Sequence, residues 1–303
     1  MALTLLHKAL VGALGHLPRA VVWHFSQRYI AGTQLEDACR AAQNLQAEGC
    51  TSTIDVLGED SATAAQVMRA RDVYIAALQR IQAMELPCNI SVKLSEMGLR
   101  FDPALTRRVM HELLSEAQAR GNFVRIDMED SSVTSMTLQI YRDLRQHFSN
   151  VGVVLQSCLK RSEADAEMLL RDGDTNVRLC KGIYVEPAEI AYRDAGDIRA
   201  AYQRLLERLL EGGATRVGIA THDPELIAHA KRTIARCGIA AHRYEMQMLL
   251  GVAEPLRRRL VDDGYPLRVY VPFGDLWFRY SLRRLRENPH IAGHLLKNLL
   301  SRR

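Results

Sequence analysis

Three charged residues stand within stretches that are otherwise apolar, and they are the first candidates for chemistry: Lys93, Asp127 and Arg178. A charge within an apolar strand is costly unless it is paired or faces water. We therefore expect all three to point into a wet cavity, where they either bind a ligand or form a purely structural network of ion pairs. Other polar residues lie at the ends of short apolar runs, namely Asp55, Glu59, Ser95, Glu129, Asp130, Gln156, Ser157, Lys181, Tyr184, Thr221, His222, Asp223, Glu245, Gln247 and Tyr270.

A second group of candidates lies near the C-terminal end, in a segment of helical spacing that Pro289 ends. Tyr280, Arg284 and Glu287 share one face of the expected helix, and Arg283 can pair with Glu287 at i+4. A guanidinium group binds a carboxylate through two parallel hydrogen bonds, so the two adjacent arginines are suited to clamp an acid. The alternative is a solvated helix face.

Several common reaction centres are absent from the sequence. No HExxH, GxSxG or GxxxxGK[ST] pattern occurs. His222 has no second histidine at ligand spacing, so we predict no metal site and interpret His222 as a hydrogen-bonding residue. The ten methionines are interpreted as core residues rather than as a redox site.

A repeating series of strands and helices must position these residues. Eight apolar runs predict strands, with helical periodicity between them. This number of units predicts an α/β fold, a closed (β/α)₈ barrel of the TIM type, whose chemistry lies at the C-terminal ends of the strands. A doubly wound sheet is the rival, disfavoured because no GxGxxG follows a strand. The predicted strands are Ser52–Leu57, Asn89–Leu94, Phe123–Met128, Gly152–Gln156, Asn176–Lys181, Arg216–His222, His242–Gln247 and Leu267–Phe273, and the predicted helices include Ser61–Met84, Pro103–Arg120, Thr134–Phe148, Glu163–Arg171 and Ile198–Glu211.

The chain divides into an N-terminal appendage, residues 1–32, and a catalytic barrel domain, residues 33–303, whose last helix is expected over the barrel mouth. The appendage is apolar but interrupted by charged residues, which predicts amphipathic helices rather than a membrane span or a signal peptide. The six cysteines show no CxxC spacing, which favours a reducing, cytoplasmic location. The net charge of +5 is spread along the chain, so no nucleic-acid arm is predicted.

The chain resembles the proline dehydrogenases in a series of segments that occur in order along it. Each lies at a predicted strand end or in the last helix, and it is their number and order that make the resemblance specific. The segments are Thr53–Glu59, Ser91–Ser95, Arg125–Glu129, Leu155–Ser157, Val177–Tyr184, Ala220–Asp223, Tyr244–Gly251, Arg268–Gly274 and Tyr280–Pro289. The chain is similar to the monofunctional bacterial type, since 303 residues leave no room for an aldehyde dehydrogenase module.

The resemblance implies noncovalent FAD at the barrel mouth and oxidation of L-proline to Δ1-pyrroline-5-carboxylate, with hydride transfer from substrate C5 to flavin N5. It implies catalytic roles for Asp127, read as orienting Lys93, and for Arg178, near flavin N5. The implied flavin contacts are Met128, Gln156, Arg178, Lys181, Gly182, Ile183, Thr221 and His222. The implied substrate contacts are Lys93, Tyr270, Arg283 and Arg284, with Glu287 as partner of the arginine pair.

The resemblance also implies partners. A membrane quinone is the expected electron acceptor, which allows a peripheral contact with the inner face of the membrane, and a separate pyrroline-5-carboxylate dehydrogenase is expected downstream. Three alternatives stay open at this point. They are a Schiff-base aldolase that uses Lys93 or Lys181, a basic C-terminal module that binds membrane or nucleic acid, and oxidation of 4-hydroxyproline, which the bulk of Tyr270 disfavours.

Overall fold

The computed structural model describes residues 22–23, 26–58, 60–173, 175–278 and 280–282. Eight parallel strands form a closed barrel in chain order. Strand β1 pairs with β2 on one side and with β8 on the other, where the register runs from Thr51 opposite Arg268 to Val56 opposite Phe273. The predicted barrel is therefore confirmed, and an open doubly wound sheet is excluded. The strands are β1 Thr51–Val56, β2 Cys88–Val92, β3 Val124–Ile126, β4 Val151–Gln156, β5 Asn176–Cys180, β6 Arg216–Ala220, β7 Tyr244–Leu249 and β8 Leu267–Phe273.

In the described ranges one helix precedes β1 and one follows each strand from β1 to β7, and these helices bury one face against the barrel. The predicted helical segments are confirmed, with ends that differ by a few residues. In the third helix the buried residues Leu105, Val109 and Leu113 recur every fourth position, as a helix packed on a sheet requires. The helices are α1 Leu35–Ala47, α2 Ala64–Ala83, α3 Pro103–Ala119, α4 Ser131–Arg145, α5 Ser162–Asp172, α6 Ala195–Glu211, α7 Pro224–Cys237 and α8 Glu254–Asp262.

The start of α7 shows how the sequence fixes a helix end beside the barrel mouth. Asp223 is the N-cap, and its carboxylate accepts a hydrogen bond from the Glu225 backbone N–H at 3.1 Å. Pro224 follows at the first helical position, where no N–H is needed. At the other end Gly238 adopts the left-handed conformation, φ 59°, that terminates many helices.

The seventh strand begins and ends two residues later than predicted. We predicted His242–Gln247, but a 3₁₀ turn takes up Ala241–Arg243, and pairing with β6 and β8 carries the strand to Leu249. Glu245 consequently lies near the start of β7, within the barrel, and not at the mouth. Alternating polarity cannot fix where such a run begins, because the pattern is the same after a shift of two residues.

The described residues near the two chain ends pack against each other beside β1. Trp277 and Tyr280 form a small cluster with Val22, Tyr29 and Ile30. Residues 277–278 and 280–282 are helical, and Tyr280 lines the cavity at the barrel mouth. The last helix therefore begins at the mouth, as predicted. Most of the N-terminal appendage, together with Arg283, Arg284 and Glu287, lies outside the described residues.

Candidate active site

The C-terminal ends of the strands open into one cavity of about 1180 Å³. Small-molecule sites usually enclose ~300–1,000 Å³, so this cavity has room for a large ligand and a small one together. Every predicted site residue among those described lines it: Lys93, Asp127, Met128, Gln156, Arg178, Lys181, Gly182, Ile183, Thr221, His222 and Tyr270. The structure thus brings together residues that are separated by up to 177 positions in the sequence, from Lys93 to Tyr270.

Lys93 lies one residue beyond β2 and forms an ion pair with Asp55 of β1, with 2.6 Å between Nζ and Oδ1. Burial by itself would lower the pKa of Lys93, but the carboxylates of Asp55, Asp127 and Glu96 outweigh burial and raise it. Burial raises the pKa of Asp55, and the Lys93 ammonium opposes that rise. Lys93 is therefore held as a cation at the wall of the cavity.

Asp127 lies one residue beyond β3 and accepts three hydrogen bonds. Its Oδ1 accepts from Arg178 and from the Ser91 hydroxyl, at 2.6 and 2.7 Å, and its Oδ2 accepts from the Tyr270 hydroxyl at 2.7 Å. We interpreted Asp127 as orienting Lys93, but the carboxylate that contacts Lys93 is Asp55. Asp127 instead fixes Arg178 and Tyr270, because the strand register places Ser91, Arg178 and Tyr270 around it.

Arg178 connects the mouth to a buried polar chain inside the barrel. Its Nε donates to Gln247 Oε1 at 2.6 Å, and the Gln247 amide nitrogen donates to Glu245 Oε1 at 2.5 Å. Glu245 also accepts from Arg268 and Arg216, each at 2.8 Å. Burial would raise the pKa of Glu245, but these two arginines lower it to about 2. This chain holds the Arg178 guanidinium, whose side chain is 7% exposed, in one position.

The opposite wall of the cavity carries a second ionic cluster. Asp223 Oδ2 accepts from Lys181 Nζ at 2.5 Å and from Arg199 Nε at 2.7 Å. Burial would raise the pKa of Asp223, but these two cations lower it to about 2. Lys181 and Arg199 are more than a third exposed, so they can also reach a ligand in the cavity.

The neutral residues predicted to bind the cofactor are held between these clusters. Gln156 donates to the Glu129 backbone carbonyl at 2.8 Å, and Thr221 Oγ1 accepts from the Asp223 backbone N–H at 3.1 Å. His222 Nε2 accepts from the Leu249 backbone N–H at 2.8 Å, which places the proton of the neutral ring on Nδ1. The prediction that His222 serves hydrogen bonding is consistent with this contact.

The charged residues that line the cavity divide it into two halves. We call the wall that follows β1–β3 the acidic half, since its charged lining residues are Lys93 and five acids: Asp55, Asp60, Glu96, Asp127 and Glu129. We call the wall that follows β4–β6 the basic half, since it contains Arg178, Lys181 and Arg199 with Asp223. A ligand with phosphates is expected at the basic half, and an amine is expected at the acidic half.

Sequence reasoning missed Asp60, Glu96 and Arg199, and it did not identify the pairing of Asp55 with Lys93. Asp55 was noted only as a polar strand residue, although its place on β1, next to β2, could have marked it as a partner for Lys93. Arg199 was not singled out, and no spacing distinguishes it from the many surface arginines of the helices.

Comparison with known proteins identifies the family. The proline dehydrogenase family model matches residues 38–296. The chain belongs to the proline dehydrogenase family. It is 36% identical to proline dehydrogenase 1 of Bacillus subtilis over 91% of each chain, and 34% identical to the proline dehydrogenase of Deinococcus radiodurans over 94% of this chain and 93% of that one.

Solved structures agree on the fold. The chain is similar to proline utilization A (PutA) of Bdellovibrio bacteriovorus, in a crystal structure of the protein inactivated by N-propargylglycine, with a TM-score of 0.83 and 25% identity. The match covers 88% of this chain and 33% of that one, so this chain spans about a third of the PutA polypeptide.

Family membership defines the reaction class. The chain is an oxidoreductase of this family that acts on the CH–NH bond of proline in the first step of proline catabolism, and it matches the Bacillus subtilis relative over 91% of that protein. In the part of the chain that the structure describes, no helix has an apolar stretch long enough to cross a membrane.

Proposed function

We propose that this proline dehydrogenase binds FAD noncovalently along the basic half of the cavity and oxidises L-proline to Δ1-pyrroline-5-carboxylate at the acidic half. The observation that carries the proposal is the separation of charge across one cavity. Lys181 and Arg199 face the same space as Lys93, Asp127 and Tyr270, which suits a phosphate-bearing cofactor against a small zwitterionic substrate.

The residues of the basic half fit a dinucleotide. Lys181 and Arg199 are cations within reach of phosphates, and Asp223 holds both in place. Gly182 adopts φ 96°, and a Cβ there would lie 2.3 Å from Cys158 Sγ, so only glycine lets the loop after β5 lie this close. Further ligands of the cofactor are assigned to the neutral lining residues Met128, Gln156, Ile183, Thr221 and His222.

When bound, FAD supplies the hydride acceptor, at N5, for the hydrogen that leaves proline C5. Arg178 contributes a fixed positive charge at the boundary of the two halves, where negative charge gathers on reduction. Lys93 binds the proline carboxylate, together with Arg283 and Arg284, which Glu287 orients. Tyr270 packs against the ring and restricts its position, because its hydroxyl is bonded to Asp127.

The ion pairs support this proposal over a Schiff-base aldolase. A lysine that forms a Schiff base must lose its proton to become a nucleophile. The pair with Asp55 raises the pKa of Lys93, so it stays protonated. We further propose that electrons pass to a membrane quinone by peripheral contact from the cytoplasm, and that a separate pyrroline-5-carboxylate dehydrogenase consumes the product.

Anaerobic titration with L-proline tests the proposal. We expect the purified protein to carry FAD and L-proline to bleach its visible absorption. The matched control is cyclopentanecarboxylate, which keeps the ring and the carboxylate but has no N–H, so it is expected to bind without bleaching. A colourless protein that FAD cannot reconstitute, or bound flavin that L-proline leaves oxidised, would reject the proposal.

A further inference from the structure

The carboxyl group of Glu96 lies in the wall of the acidic half, and the proposed function does not use it. Glu96 follows β2 by four residues, lines the cavity and is 5% exposed. Its Oε2 accepts a hydrogen bond from the Tyr74 hydroxyl of α2 at 3.2 Å. A Cβ on Gly58 would lie 2.0 Å from Glu96 Oε1, so the backbone after β1 passes directly over the carboxyl. The group is enclosed by α2 on one side and by this backbone on the other.

The neighbouring acids already hold the available cations. Lys93 pairs with Asp55 and Arg178 pairs with Asp127. Asp60 pairs with Arg100, with 3.0 Å between Oδ2 and Nε. Within the described ranges, Glu96 has no ion pair with a cationic side chain. A buried carboxyl in this position is costly as an anion, so it is expected to keep its proton at neutral pH.

The electrostatic surroundings of Glu96 also favour its protonated form. Burial, with the charges of Asp55 and Glu129, raises the pKa of Glu96 to about 8, although Lys93 and the Tyr74 hydroxyl oppose the rise. Burial raises the pKa of Glu129 as well, but hydrogen bonds from both the backbone and the hydroxyl of Ser95 oppose that rise. Those bonds stabilise its charged form, whereas Glu96 accepts one bond from a phenol.

We propose that Glu96 is a proton-holding residue that sets the charge of the substrate pocket: it is neutral while the proline carboxylate binds beside Lys93, and it repels that carboxylate once it ionises. The inference rests on the proposed function, because it takes Lys93 as a ligand of the substrate carboxylate. Glu96 is then a positioning residue that acts through the charge around Lys93. A neutral Glu96 cannot accept the proton of the substrate amine, so the proposal concerns binding and not proton transfer.

The test is the pH dependence of cyclopentanecarboxylate binding to the flavin-loaded enzyme, measured by calorimetry. The probe has no amine, so changes in its affinity between about pH 6 and pH 9 come from the protein. For the wild type we expect a constant Kd up to about pH 7.5 and a roughly ten-fold increase by pH 9. For Glu96→Gln, which mimics the protonated acid, we expect a Kd that stays constant. Parallel weakening in both proteins, or a constant Kd in the wild type, would overturn the inference.

Tyr74→Phe provides a second variant that keeps the carboxyl. It removes the hydrogen bond that stabilises the Glu96 anion, so the midpoint of the affinity loss should move to higher pH. An unmoved midpoint would count against Glu96 even if Glu96→Gln does not fold. The two proposals fail in different ways. Absence of probe binding at every pH would reject the carboxylate site itself, whereas binding without a Glu96-dependent pH effect would reject this inference alone.

Discussion

The acidic half and the basic half of the cavity follow consecutive strands of one barrel, yet the ion pair of Lys93 and the ion pairs of Asp223 are buried to different extents. In the acidic half the side chains of Asp55 and Lys93 are 2% and 23% exposed. In the basic half the side chains of Lys181 and Arg199 are 36% and 38% exposed. Exposed charges attract a ligand through solvent and are screened by salt, whereas buried charges depend on their partners and on bound protons.

The difference shows how one barrel could suit the two unlike ligands that we propose, a cofactor and a substrate. The basic half presents partly exposed cations, which suit the large anionic cofactor that we propose. The acidic half encloses a lysine among carboxylates, which suits a substrate that carries a carboxylate and an amine. Arg178 is where the halves meet, since it contacts Asp127 on one side and the Gln247 chain on the other.

The largest expected effect comes from removing the residue that joins the halves. Arg178→Ala leaves Asp127 without its cation and breaks the bond to Gln247. Removing one partner of a buried ion pair costs roughly 3–5 kcal/mol, so we expect the free energy of unfolding to fall by about that amount. Flavin content or the rate of flavin reduction should also fall. Urea denaturation and flavin absorbance measure the two effects.

The control for this prediction is Arg178→Lys, which keeps the charge but cannot span both partners, so an intermediate loss is expected. A variant Arg178→Ala with wild-type stability, full flavin and an unchanged reduction rate would show that the two halves are independent.

The second prediction concerns Glu96, a buried acid of the acidic half, and the pH dependence of stability that it causes. The folded-state pKa of Glu96 is about 8, against an ordinary value of 4.5. Glu96 keeps its proton in the folded state up to about pH 8, whereas in the unfolded state it ionises above about pH 4.5. The free energy of unfolding of the wild type therefore falls between these two pH values, by up to ~1.4 kcal/mol for each pH unit. Above about pH 8 this group causes no further loss. Glu96→Gln lacks this loss. Its stability relative to wild type should therefore rise through this window in urea titrations with saturating flavin. Parallel stability curves for the two proteins would contradict the prediction.

A smaller effect is expected from Tyr270, which we propose limits the space beside the substrate ring. Tyr270→Ser should lower the kcat/KM for L-proline, because it removes packing worth on the order of 1–3 kcal/mol. It should also reduce the preference for proline over trans-4-hydroxyproline, because space opens beside the ring. Tyr270→Phe is the control, since it removes only the bond to Asp127 and should keep the preference. Equal losses for both substrates in Tyr270→Ser would assign Tyr270 to the core instead.

The barrel could be predicted from the sequence because each strand is a separate apolar run with its own helix after it. The positions of Lys93, Asp127 and Arg178 followed as well, since a charge in such a run must face the mouth or the barrel interior. The start of β7 could not be predicted, because alternation is unchanged by a shift of two residues.

The sequence also could not predict which charged side chains pair with each other, for a different reason. Asp55 and Asp127 flank Lys93 on neighbouring strands, and only the register and the side-chain conformations decide that Asp55 makes the contact. The chain from Arg178 through Gln247 to Glu245 likewise depends on the barrel, in which inward side chains of β5 and β7 meet over the strand between them, β6. Roles assigned to Arg283, Arg284 and Glu287 stay predictions.

The most direct test of the division into halves is the flavin retained by two matched variants, Lys181→Met and Lys93→Met, after the same dialysis. Each exchange removes one ammonium and keeps an unbranched side chain. For Lys181→Met we expect FAD to dissociate roughly five- to ten-fold more readily, because a partly exposed ionic contact is worth about 1 kcal/mol. Lys93→Met should retain as much FAD as the wild type. Equal flavin loss in both variants, or loss confined to Lys93→Met, would contradict the separation of cofactor and substrate.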